Sequence, residues 1–131
     1  MENIKPGLTS EKKGYVTNDR ISTYMGSGDV TVYATPSMIA LMESAAMAAL
    51  ASHLPSGYSS VGTYLEVNHI APSPLGQAIR ARAEVTEVNG STVTFKVEAW
   101  DEKEKIGEGT HRRAVIERER FMKRVEAKNS T

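Results

Sequence analysis

The chain of 131 residues contains no cysteine, which removes disulfides, thiolate nucleophiles and thiolate metal sites from consideration together. It also lacks charge of either sign in excess: 16 Lys and Arg balance 16 Asp and Glu, so there is no broad basic footprint for nucleic acid and no acidic tail. The first residues, MENIKPGLTSEKKG, carry no apolar core of a secretory signal, and no apolar run approaches the ~20 residues needed to span a bilayer. A soluble cytoplasmic protein is expected. A Gly-rich phosphate loop, a zincin motif, a nucleophile elbow and internal repeats are all missing, and the three histidines have no metal-ligand spacing. Neither a metal nor a cofactor is therefore expected. What remains is ordinary globular composition, 40% hydrophobic and 24% charged, at a length that suits one domain over 1–131.

The stretch that organises the rest is Ala34–Leu54, ATPSMIALMESAAMAALASHL. Thr35 reads as an N-cap with Pro36 at the first helical position, and Pro55 with Gly57 supplies the stop. Between Pro36 and Ser52 the only ionisable side chain is Glu43, so this helix must be covered by protein around most of its circumference. A carboxylate buried on such a helix needs a partner.

Ahead of the helix, residues 1–11 read as surface, Gly14–Thr17 as a short strand, 18–29 as a polar loop and Val30–Ala34 as a short β segment. After it, Val61, Thr63, Leu65, Val67 and His69 alternate with Gly62, Tyr64, Glu66 and Asn68, giving a strand with its first set inward. Ile79 to Val85 and Val93 to Ala99 alternate likewise, and Asn89-Gly90 between them marks a tight hairpin. Asp101–Lys105 is a charged turn, Ile106–Ile116 a last strand, and the tail from Glu117 either its continuation or a surface helix. One helix and one antiparallel sheet pack best with the sheet wrapped around the helix, an α+β arrangement. The helix is apolar on more sides than one sheet covers, so a homodimer or higher oligomer is expected.

Three stretches carry a resemblance: Ala34-Thr35 with Leu41-Met42-Glu43 downstream, SVGTYLEVNH (Ser60–His69) and IGEGTHRRAVI (Ile106–Ile116). Over roughly residues 30–120 they resemble the fluoroacetyl-CoA thioesterase-like family of the hotdog fold, small dimeric acyl-CoA thioesterases. The resemblance implies a curved antiparallel sheet around one long central helix, hydrolysis of a small acyl-CoA, and no cofactor beyond the CoA of the substrate. It also implies Thr35, Glu43 and His69 as the catalytic set, with Gly62 and Arg113 contacting substrate. The segment that shapes the acyl pocket in this family is small and polar here, Gly26-Ser27-Gly28-Asp29, with no bulky aromatic.

Read without the resemblance, each residue keeps a plainer account. Glu43 can be a buried carboxylate with a structural partner, His69 a satisfied core histidine, Thr35 an N-cap, and Arg112-Arg113 a solvated pair of which one could meet CoA phosphates. If the inward face of the His69 strand packs on the helix, Glu43 and His69 meet at one interface and Glu43 orients an imidazole general base. Eight residues of helix separate Thr35 from Glu43 by ~12 Å along the axis. A shared reaction centre would then take Thr35 from one subunit and Glu43 with His69 from the other. Thr35 could be a nucleophile or a positioning group, and helix-start amides or the Gly62 backbone could hold an oxyanion. An enoyl-CoA hydratase and a non-catalytic acyl-CoA-binding dimer are the alternatives.

Overall fold

The computed structural model describes residues 3–130. Strands β1 (Thr9–Tyr15), β2 (Tyr58–His69), β3 (Ala78–Asn89), β4 (Thr92–Trp100) and β5 (Lys105–Glu117) form one antiparallel sheet in the order β1-β3-β4-β5-β2. Helices α1 (Ser22–Met25), α2 (Thr35–Ala51) and α3 (Arg118–Glu126), with a 3-10 turn at Ala127–Asn129, complete the regular structure among the described residues, and none is long and apolar enough to cross a membrane.

The α2 helix lies against the concave side of the sheet because its small and flexible side chains allow close approach. Met38, Met42, Ala45, Ala46, Ala49 and Leu50 are buried against Ile79, Ala81, Val85, Phe95, Val97 and Ile106. At Gly107 the helix comes so near that a Cβ would lie 2.7 Å from Met38 Cε. The sheet does not surround the helix. Pro36, Ala40 and Met47 are exposed and Glu43 is half-exposed, a stripe at four-, three- and four-residue steps that marks one uncovered face.

The expected hairpin is present, with Gly90 at φ 62° between β3 and β4, and the Asp101 carboxylate closes the next turn by accepting from the amides of Lys103 and Glu104. The tail is a surface helix, started by Glu117, whose carboxylate accepts from the Arg120 amide.

Five expectations need correction. The first strand is Thr9–Tyr15 rather than Gly14–Thr17: as a sheet edge paired only with β3 it is polar and gives no hydrophobic signal. Residues 3–11 are not all surface, since Ile4 is in the core; positions 1 and 2 lie outside the described residues. The 18–29 loop contains α1, ended by Gly26 in the left-handed region, and 30–34 makes only isolated bridges, Ile21 to Tyr33 and Val32 to Pro74. The last correction concerns β2. Its pairing with β5 slips between Gly62 and Tyr64, so Gly62 stands opposite Arg113, Leu65 opposite His111, Val67 opposite Gly109 and His69 opposite Gly107. One extra residue at Thr63 reverses the alternation, and Gly62 rather than Thr63 shares the helix-facing side with Leu65 and His69.

Candidate active site

The five candidate residues fall into two clusters at opposite ends of β2. The first lies at the head of α2. Ala34, not Thr35, is the N-cap: its carbonyl accepts from the amides of Ser37 and Met38, and Thr35 is the first helical residue with no capping hydrogen bond from its side chain. The reason is that the hydroxyl has another partner. Thr35 Oγ1 lies 2.7 Å from His69 Nδ1 of the same chain. The pair faces a cleft of about 250 Å³ lined also by Ser22, Val32, Tyr33, Ile70 and Ala71. Burial holds the His69 pKa below its ordinary 6.5, against an opposing pull from the Ala71 backbone, so the imidazole is neutral near pH 7. Its Nε2 is buried and has no hydrogen-bond partner among the described residues.

The second cluster lies in the middle of α2 and the early part of β2. Glu43 Oε2 is 3.9 Å from Arg113 Nη1, an ion-pair distance, and its side chain is 38% exposed. Arg113 is only 6% exposed and is fixed on β2 through Nε to Ser60 Oγ (2.8 Å) and Nη2 to the Ser60 carbonyl (2.9 Å). Burial lowers its pKa and the Glu43 carboxylate opposes the shift, so it remains a cation. His111, wholly buried, stands between Arg113 Nη1 (3.2 Å from Nε2) and the Tyr64 carbonyl (2.9 Å from Nδ1). Gly62 completes the cluster: a Cβ there would meet Glu43 Oε2 at 2.7 Å and His111 Cε1 at 3.1 Å.

Within one chain, then, Thr35 and His69 are together and Glu43 is apart from both. Seven residues of strand at ~3.3 Å each separate the carboxylate over Gly62 from His69 by roughly 20 Å. The expectation that Glu43 orients His69 of its own chain fails because they meet the sheet at opposite ends of β2. Glu43 is also less buried than its apolar surroundings in sequence imply, because it lies on the uncovered stripe of α2. Arg113 is turned inward to Glu43; Arg112 is the outward member of the pair and stacks its guanidinium 4.3 Å from the Tyr64 ring centroid. His111 went unrecognised in the sequence, although it stands two residues before Arg113 on one strand face. Among the described residues no group of three or more His, Asp or Glu side chains is placed to hold a metal.

Residues 16–119 match the family described as fluoroacetyl-CoA-specific thioesterase. The chain belongs to this family. A fluoroacetyl-CoA thioesterase from Streptantibioticus cattleyicolor is 41% identical over 97 residues, 74% of this chain and 70% of that protein. Among solved structures, a variant of the fluoroacetyl-CoA-specific thioesterase superimposes with a TM-score of 0.91 at 31% identity, covering 98% of this chain and 99% of the other. A hot-dog-like protein from Thermanaerovibrio acidaminovorans does so with a TM-score of 0.90 at 25% identity over 99% and 96%. The sheet wrapped on α2 is thus the hotdog fold, and this fluoroacetyl-CoA thioesterase family member carries Thr35, Glu43, Gly62, His69 and Arg113 at the positions described.

Proposed function

We propose that the protein hydrolyses the thioester of a small acyl-CoA, releasing the free acid and CoA, at a site built from two copies of the chain. The Thr35–His69 contact carries this reading. A neutral imidazole 2.7 Å from a hydroxyl can take its proton, and the Nε2 on the far side of the ring, unpartnered among the described residues, calls for an acceptor from elsewhere. Glu43 of the partner subunit supplies one. Strand β2 ends the sheet, and antiparallel pairing of two β2 edges about an axis at Leu65 brings the Gly62 part of each strand beside the His69 end of the other. The half-exposed Glu43 above Gly62 then reaches the second chain's imidazole, and the same association covers the bare stripe of α2.

In this arrangement Thr35 Oγ attacks the thioester carbonyl as His69 Nδ1 takes its proton, while the carboxylate on Nε2 stabilises the imidazolium. The proton passes to the departing CoA sulfur. Water, activated by the same imidazole, then releases the acid from the acyl-threonine. Pro36 has no N–H, and the amides of Ser37 and Met38 are bonded to Ala34; the Thr35 amide is the helix-head donor left for the oxyanion.

Incubation with a panel of short acyl-CoAs, following thiol release and the enoyl chromophore separately, tests the reaction. Thiol release is expected, and His69→Ala and Glu43→Gln should each lower it by ~100-fold or more while remaining folded. Loss of the enoyl chromophore without thiol release would make the protein a hydratase. Binding of acyl-CoA with neither change would make it an acyl-CoA-binding protein.

A further inference from the structure

The buried histidine of the second cluster has no part in the chemistry above. His111 is fully buried, and its ring stacks near Phe95 with centroids 6.2 Å apart. A histidine that only filled this space would leave its nitrogens to chance contacts. Here both are engaged, and the contacts admit one tautomer. The Tyr64 carbonyl can only accept, so Nδ1 carries the proton and donates to it at 2.9 Å; Nε2 is then a lone-pair acceptor, matched to an N–H of Arg113 Nη1 at 3.2 Å. A second proton on this ring would face the guanidinium. Burial and the Arg113 charge both lower the His111 pKa, against the Tyr64 carbonyl and Glu43, in keeping with that neutral form.

We infer that His111 is a positioning residue for the Glu43 carboxylate, acting through Arg113. Two of the three guanidinium nitrogens are committed to Ser60, which leaves Nη1 as the one that faces Glu43, 3.9 Å from Oε2. His111 Nε2 accepts from that same Nη1 and so fixes the guanidinium plane and the direction of its remaining N–H. Gly62 leaves the space in which this alignment reaches the carboxylate, since any Cβ would displace Glu43 Oε2 and His111 Cε1 together. The chain of contacts runs from the Tyr64 carbonyl through His111 and Arg113 to Glu43, and it joins β2, β5 and α2 at one point. Its use in catalysis rests on the reading of Glu43 as part of the reaction centre; the contacts themselves do not.

The test separates the two ring nitrogens. His111→Gln can place an acceptor near the Nε2 position, His111→Asn can keep only the contact to Tyr64, and His111→Phe keeps the stacking and neither hydrogen bond. With a short acyl-CoA, at a temperature where circular dichroism finds every variant folded, Gln should hold kcat within about threefold, whereas Asn and Phe should lose about tenfold with KM unchanged. In an Arg113→Ala background the three changes should have no further effect on kcat, because the intermediary is gone. Wild-type kcat in the folded Asn and Phe variants, or losses that add to that of Arg113→Ala, would overturn the inference.

A second measurement needs no substrate. The non-additivity of Arg113→Ala and Glu43→Gln in thermal unfolding should be present in the wild-type background and absent in His111→Asn. Unchanged non-additivity would also overturn the inference. Should Glu43→Gln leave turnover intact, the proposed reaction centre fails, while the unfolding cycle still decides whether His111 aligns the pair.

Discussion

Glu43 and Gly62 occupy the same point from two sides: the carboxylate Oε2 sits 2.7 Å from where a Cβ on Gly62 would be. Helix and strand can meet there only because the strand residue has no side chain. Gly62→Ala should displace Glu43 while sparing the Thr35–His69 pair at the other end of β2. A displacement of order 1 Å at a reacting group costs ~100-fold, so kcat is expected to fall by about that factor. Steady-state kinetics beside a melting curve checks it, and unchanged kcat would mean that the Glu43 position is not critical.

The shared site makes a sharper prediction about mixed dimers. Thr35 and His69 lie on one chain, so their Ala variants should not rescue each other. Either one, combined with Glu43→Ala, should regain up to about half the wild-type activity, since one of the two sites then receives all three intact residues. Recovery in a Thr35→Ala with His69→Ala heterodimer would refute the 2.7 Å contact as the functional one. Because Ala34 is the N-cap, Thr35→Ala removes no helix cap and should leave the melting temperature close to wild type.

Acid should weaken both activity and stability. His69 and His111 have pKa values lowered by burial, so between pH 6.5 and their folded values the unfolded chain binds more protons than the folded one. Their contribution to stability is fully present above pH 6.5 and is lost as pH falls through the folded pKa values. Turnover should follow the neutral fraction of His69, with a plateau at higher pH and an acid limb as the imidazole takes a proton. Urea unfolding from pH 8 to 5 should give a slope that is smaller in His111→Gln; an equal slope would remove this histidine from the account.

Leu65 faces the helix side of β2 yet is 40% exposed, because the strand ends the sheet. Pairing of two β2 edges would bury it beside the axis. Leu65→Lys would place two like charges there and should convert the dimer to monomer with loss of turnover, while the fold persists. Sedimentation analysis of both forms is the measurement, and an active dimeric variant would rule out this mode of association.

Much of the fold was legible in the sequence because it depends on local pattern. The apolar stretch from Pro36 with its single acid dictated a core helix, and strict alternation from Ile79 to Val85 and from Val93 to Ala99 with Asn89-Gly90 between them dictated a hairpin. The three stretches holding Thr35, Glu43, Gly62, His69 and Arg113 also revealed the family. Where local pattern is weak, the sequence carries no signal: polar β1 is a strand only because β3 pairs with it.

The partnerships within the site were decided by tertiary structure alone. Face periodicity alone would pair Glu43 with His69, but the bulge at Thr63 and the packing of α2 on the sheet give Thr35 to His69 and Glu43 to Arg113. Helix and strand periods determine which face a residue takes; they do not determine where along a strand a given helical turn will cross it. That position follows from how closely Met38 can approach Gly107 and Glu43 can approach Gly62, which is a matter of packing between residues far apart in the chain.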